Sequence, residues 1–281
     1  MDKLYFVTAG IPTITKKSSY DEGIKILQEL NLDGLELEFV RGVRISDKSR
    51  ETIKRNIDAS SIVATAHAPF FINLNSQEPE KIVNSIKYIT DTIEVAESLG
   101  LYSITYHAAY YMGNTKDDTY KAVFRANEQI AEFMSNNNFK VWVRPETTGK
   151  ATQWGDLEEV VKLSKEFDFV LPCVDFSYLF ARTIGKLNTY DDFARMFDFI
   201  GNELGDFALK NFHAHIAGIE YTSKGERKHV MLNECVFNYK DLIRAFVDFD
   251  VKGVVVSESP IMEDDAVLLK EQYFLTKKNL S

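Results

Sequence analysis

Only two cysteines occur in the 281 residues. Cys173 lies inside an apolar run and Cys235 in a loop-like stretch, which excludes a disulfide framework and leaves no thiolate set for zinc. Any metal must therefore be held by nitrogen and oxygen. Pro/Gly/Ser-rich linkers and low-complexity blocks are missing as well, and charge is mixed along the chain rather than gathered into a tail, so a single domain over residues 1–281 is expected. No window approaches the ~18 consecutive apolar residues of a membrane span. The amino terminus, MDKLYFVTAGIP, has neither a long hydrophobic region nor a small-residue cleavage site. A soluble, cytoplasmic protein with no membrane contact and no obligate protein partner is the expectation. Cations are in deficit too: 33 Lys and Arg against 42 Asp and Glu give a net charge of −9. That balance weighs against nucleic-acid binding, which rests on Lys and Arg neutralising phosphates. Local patches can override the sum, and Arg41 and Arg44, then Lys224, Arg227 and Lys228, fall in segments read as loops after strands.

What the chain does have is alternation. Short runs rich in Val, Ile, Leu, Phe and Tyr alternate with longer segments of helical periodicity, the pattern of βα repeats on a parallel sheet. Eight strands are expected near 4–8, 34–39, 61–66, 103–106, 140–144, 169–174, 211–215 and 253–256. Helices are expected to begin near Ser19, Asp47, Glu78, Lys116, Asp156, Asp191, Tyr239 and Asp264, several opened by side chains able to cap free backbone N–H groups. The third helix is the clearest, with Ile82, Ile86, Ile89, Ile93 and Val95 keeping roughly one stripe and Gly100 placed as its C-cap. Eight units in order with right-handed crossovers close into a (β/α)₈ TIM barrel. A doubly wound open sheet is the structural competitor, but it gathers only the strand ends at its switch point.

His67, His107, Glu146, Asp175, His215 and Glu258 each stand where an apolar run gives way to a loop, at steps of about 29 to 43 residues. That is the length of a strand-plus-helix unit, and barrel chemistry sits at the carboxyl ends of the strands, so the six are expected to converge on one site. Imidazole and carboxylate suit zinc, manganese or iron, and six ligands suffice for two ions. Glu146, central in strand order, is the candidate bridge. Each member also has an ordinary reading. His67 could be a hydrogen-bonded histidine closing its strand, His107 a strand-end ring, and Asp175 a turn cap. Glu146 and Glu258 could be salt-bridged, Glu146 to Arg144 for instance. His213 and His215 share a strand face, with His213 a layer deeper.

At these positions the sequence resembles the endonuclease IV family of apurinic/apyrimidinic endonucleases, within the xylose-isomerase-like group of TIM barrels. The matching stretches are HAPFFINL from His67, YHAAYYMG around His107, RPETTGKATQWG around Glu146, VDFSY at Asp175, HAHIAGIEY around His215 and SESP around Glu258. The resemblance implies one zinc on His67, His107 and Glu146 and a second on Glu146, Asp175, His215 and Glu258, with Mn²⁺ or another divalent ion as the alternative. It implies a water-derived nucleophile attacking the phosphorus 5′ to an abasic sugar in duplex DNA, with Glu146 and Glu258 as catalytic residues. A third zinc of that family would need a histidine where this chain has Tyr178. In the downstream GERKHVML segment, Glu226 and His229 are the stand-ins, their spacing off by one. Weak or absent third-metal binding follows, with the Tyr178 hydroxyl as a substitute donor. The resemblance also implies DNA contact by Phe70 and Phe71 after the strand-three histidine and by Arg41 or Arg44 in the strand-two loop. The alternative is that the phenylalanines pack under the third helix and the arginines form surface ion pairs.

Two other functions stay open. A single-metal sugar or sugar-phosphate isomerase or epimerase would use Glu146, Asp175, His215 and Glu258, but has no need of His67 and His107. A metal-stabilised scaffold would show no activity that a chelator could abolish.

Overall fold

The computed structural model describes residues 1–17, 19–59 and 61–280. In chain order the elements are β1 (Leu4–Ala9), α1 (Tyr20–Glu29), β2 (Gly34–Glu38), α2 (Asp47–Asp58), β3 (Val63–His67), α3 (Pro79–Leu99), β4 (Ser103–Tyr106), α4 (Lys116–Asn137), β5 (Trp142–Pro145), α5 (Leu157–Ser164), β6 (Val174–Asp175), α6 (Phe176–Arg182), α7 (Tyr190–Leu204), β7 (Phe212–Ile216), β8 (Gly218–Thr222), β9 (Gly225–Val230), α8 (Tyr239–Asp248), β10 (Gly253–Ser257) and α9 (Met262–Leu280). The expected strands and helices are thus present, most within two residues of the expected starts. Helix starts follow their caps: Ser19, Ser46, Thr115, Asp156 and Thr189 each accept a backbone N–H of the first turn. Gly100 ends α3 in the left-handed conformation at φ 74°, where a side chain would be strained. Among the described residues no helix is long and apolar enough to cross a membrane.

The chain forms two compact units, residues 1–35 with 174–281, and residues 36–173. In the first, β1 pairs in parallel with β10, β10 with β7, and β7 with β6. Every residue of β7 and β10 is buried, as expected of parallel strands covered on both faces. In register, Asp175 lies opposite His215 and His215 opposite Val256, so the ends of β6, β7 and β10 stand level. In the second unit β3 pairs in parallel with β4 and β4 with β5, placing His67 opposite Thr105 and Tyr106 opposite Pro145. His67 thus ends β3, while His107 and Glu146 follow directly on β4 and β5.

Three features depart from the sequence reading. The sixth strand keeps only Val174–Asp175, with isolated bridges Val143↔Val170 and Glu146↔Cys173 before it. Helix α6 follows at once, because the Asp175 carboxylate accepts the Tyr178 N–H at 2.7 Å and nucleates its first turn. The segment holding Lys224, Arg227 and Lys228 is an antiparallel hairpin of β8 and β9 rather than a loop. There Arg227 and Lys228 lie 3.3 and 3.1 Å from Glu220, exposed pairs of small energetic weight.

The loop after β1 is tied to α9 by Glu263. This carboxylate, 1% exposed, accepts from Thr13 N at 3.1 Å, Thr13 Oγ1 at 2.6 Å and Ile14 N at 3.0 Å. Burial pushes its pKa up, but the bonds from Thr13 and Ile14 win and hold it below the ordinary carboxylate value. We expect Glu263→Ala to cost about 2 kcal/mol, the scale of losing hydrogen bonds to a charged group, read as a lower midpoint in urea. A midpoint unchanged from wild type would show that the loop does not depend on this anchor.

Candidate metal centre

In the unit of residues 36–173, one ligand atom each of His67, His107 and Glu146 lie within 4.8 Å of one another. The partners of His67 fix its orientation. Its Nδ1 lies 2.6 Å from the carbonyl oxygen of Ala68, to which it donates, and its Nε2 lies 3.1 Å from Glu146 Oε2. His107 Nε2 lies 3.4 Å from the same oxygen, and the two imidazole rings are 5.2 Å apart. Glu146 is fully buried. Burial disfavours a charged His67, but the bond to Glu146 and its charge, with Glu38 and Glu36 adding to the field, raise the pKa to about 10. The group therefore draws positive charge to itself. Two ligands of a tetrahedral zinc at 2.0–2.1 Å stand about 3.3 Å apart, so spacings of 3.1 and 3.4 Å suit nitrogen and oxygen donors of one cation. A cation with two positive charges would also relieve the field that protonates His67.

In the other unit, ligand atoms of Asp175, His215 and Glu258 lie within 4.8 Å of one another. His215 Nδ1 is 3.2 Å from Glu258 Oε1, the imidazole fully buried and the carboxylate 14% exposed. The other ring nitrogen of His215, Nε2, lies 3.2 Å from Nε2 of His213, also fully buried. Asp175 is 1% exposed; its Oδ1 caps α6 while it sits level with His215, so the turn-cap reading is met and leaves the residue within the donor group. Of the third-metal stand-ins, Tyr178 and His229 come together, their rings 5.5 Å apart, and His229 Nδ1 donates to the Glu258 carbonyl at 3.0 Å. Glu226 lies three residues before His229 on β9, but an irregularity between them sets Glu226 opposite Tyr221 and His229 opposite Ile219, so the two share one face of the hairpin.

Arg144 donates to the Pro172 carbonyl at 3.0 Å and to the Tyr102 hydroxyl at 3.1 Å. Arg41 and Arg44 are exposed after β2. Phe70 and Phe71 are 57% and 42% exposed, so neither is core packing, although Phe71 meets the Tyr88 ring of α3 edge-on at 4.8 Å. Together with Tyr110 and Met112 they line a groove of about 600 Å³. Sequence reasoning did not find Tyr110 or Met112, which are exposed, or the half-buried Tyr88, because aromatic and sulfur side chains outside the core carry no periodic signal. The i, i+2 spacing of His213 and His215 was its signal, though not for the bond between them.

A family model described as a xylose isomerase-like TIM barrel matches residues 24–278. The chain is 42% identical over 272 residues to an uncharacterized protein of Methanocaldococcus jannaschii, covering 96% of this chain and 97% of that one. It is 22% identical over 211 residues to a probable endonuclease 4 of Mycoplasma genitalium, covering 73% of this chain and 69% of that one. Among solved structures, a D-tagatose 3-epimerase-like protein superposes with a TM-score of 0.75 at 18% identity, covering 99% of this chain and all of that one (100%). Both chemistries therefore occur among proteins similar to this one, and the fold by itself does not choose between them.

Proposed function

Because the chain belongs to the xylose isomerase-like TIM barrel family, we propose that it is a single barrel domain and a zinc-dependent phosphodiester hydrolase cleaving DNA 5′ to abasic sites. The observation that carries this reading is the donor group of His67, His107 and Glu146. An isomerase set of Glu146, Asp175, His215 and Glu258 around one ion has no use for the two histidines. In this reading His67, His107 and Glu146 are ligands of one cation, and Asp175, His215 and Glu258, with Glu146 shared, are ligands of a second. The relative named as a probable endonuclease 4 supports it.

Two bound cations would lower the pKa of water and neutralise charge developing on phosphate oxygens. The chain's own residues do the rest. The bond from His67 Nδ1 to Ala68 leaves Nε2 as the coordinating nitrogen. Glu258, partly exposed, orients the attacking water and accepts its proton, and the Tyr178 hydroxyl takes the place of a third cation at the departing oxygen. Attack at phosphorus then yields a 3′-hydroxyl and a 5′-deoxyribose phosphate. Phe70 and Phe71 supply exposed rings that fill the gap in the base stack, and Arg41 and Arg44 meet the backbone.

The second reading is a single-metal sugar epimerase. It is favoured by the D-tagatose 3-epimerase-like structure, whereas Tyr178 in place of a histidine counts against both readings. One experiment separates them: incision of a duplex carrying a tetrahydrofuran abasic analogue, with metal analysis of the same protein. We expect incision and about two zinc per chain. A single ion per chain and an uncut duplex would refute the hydrolase reading.

A further inference from the structure

We propose that His213 is a positioning residue that holds the His215 imidazole from behind, keeping its Nδ1 turned toward Glu258 for a cation. The inference rests on His215 being a cation ligand, as read above. Of the five histidines in the chain, that reading uses His67, His107 and His215 and gives His213 no part.

His213 and His215 lie two apart on β7 and so share one strand face. Their rings cross at 65° with centroids 5.0 Å apart, and both side chains are fully buried. Each Nε2 is 3.2 Å from the other, which requires one to donate and the other to accept. His215 Nδ1 faces Glu258 Oε1 at 3.2 Å, and this is the nitrogen on the donor-group side. A cation there needs the lone pair of Nδ1, so the His215 proton sits on Nε2 and is donated to His213. His213 must then accept at Nε2 and carry its own proton on Nδ1. Metal-binding histidines ordinarily donate the back N–H to a carboxylate, a carbonyl or water. Here a buried imidazole on the same strand takes that place, and the rigid strand sets the ring's direction.

The test uses the full-length protein and cobalt(II), followed by its visible absorption. Wild type is expected to take up two equivalents. His213→Leu, which removes the acceptor, is expected to weaken one of the two by about 10- to 100-fold, the cost typical of losing such an outer partner. The ion on His67, His107 and Glu146 should be unaffected. His213→Gln, which restores an acceptor of similar reach, is expected to recover affinity to within about threefold. Equal affinity in wild type and His213→Leu, or equal losses in both variants, would overturn the proposal. The zinc-loaded wild-type protein gives a readout that needs no substitution: nitrogen-15 NMR should find His215 protonated on Nε2 and His213 on Nδ1, and the reverse assignment would also overturn it. Incision is a separate axis. Protein that shows these tautomers yet leaves abasic DNA uncut would count against the hydrolase reading alone.

Discussion

Glu146→Gln is expected to lower incision of abasic duplex by at least about a thousandfold, some 4 kcal/mol of transition-state stabilisation at about 1.4 kcal/mol per tenfold. Two nitrogens, His67 Nε2 and His107 Nε2, point at one oxygen of this carboxylate from 3.1 and 3.4 Å. An amide has no charge to offer a cation, and its NH₂ end would confront imidazole nitrogens that must themselves coordinate. In the proposed centre the same carboxylate serves both ions, so its loss should reduce metal content as well as rate. Breaking a buried charged pair costs about 3–5 kcal/mol in stability, so rates must be taken on protein shown to be folded by near-ultraviolet circular dichroism. A folded Glu146→Gln protein that cuts at the wild-type rate with two bound ions would remove this carboxylate from the mechanism.

Metal-free protein is expected to lose stability as pH rises from about 6.5 to about 10, by an amount on the order of a few kcal/mol at about 1.4 kcal/mol per pKa unit. The sign follows from His67, whose pKa is raised from the ordinary 6.5 to about 10 in the folded state. Its ion pair with Glu146 contributes fully below the unfolded value and nothing once the folded value is passed. A divalent cation takes the neutral imidazole, so adding zinc should restore the lost stability at high pH and flatten the profile. Urea midpoints at pH 6 and pH 9.5, with and without zinc, measure both effects. Equal midpoints at the two pH values in chelated protein would show that His67 and Glu146 are not coupled as the geometry indicates. Glu263 acts in the opposite sense at the acid end. Its lowered pKa gives stability present above the ordinary 4.5 and lost as pH falls through the depressed value.

Much of this was readable from local pattern. Strand ends were legible because buried parallel strands demand unbroken apolar runs, as in the Val254, Val255 and Val256 run of β10, and because the polar residue that ends each run stands out against it. Capping side chains marked helix starts because free N–H groups need acceptors nearby in sequence. The collapse of the sixth strand to Val174–Asp175 was not legible. There the Asp175 carboxylate serves as helix cap and as a member of the donor group at once, and the cap pulls the following residues into α6. The hairpin of β8 and β9 was missed because its alternation is charged and polar, without the apolar face that marks a strand.

The sequence by itself determined the donors, their order and their place at strand ends, since each depends on residue type and short-range periodicity. Only the tertiary structure decided which donors meet: that His67 and Glu146, 79 residues apart, share a hydrogen bond, that Glu36 and Glu38 add to the field on His67, and that His213 stands behind His215. Contacts across such separations depend on strand register and side-chain direction, which only packing of the whole sheet fixes.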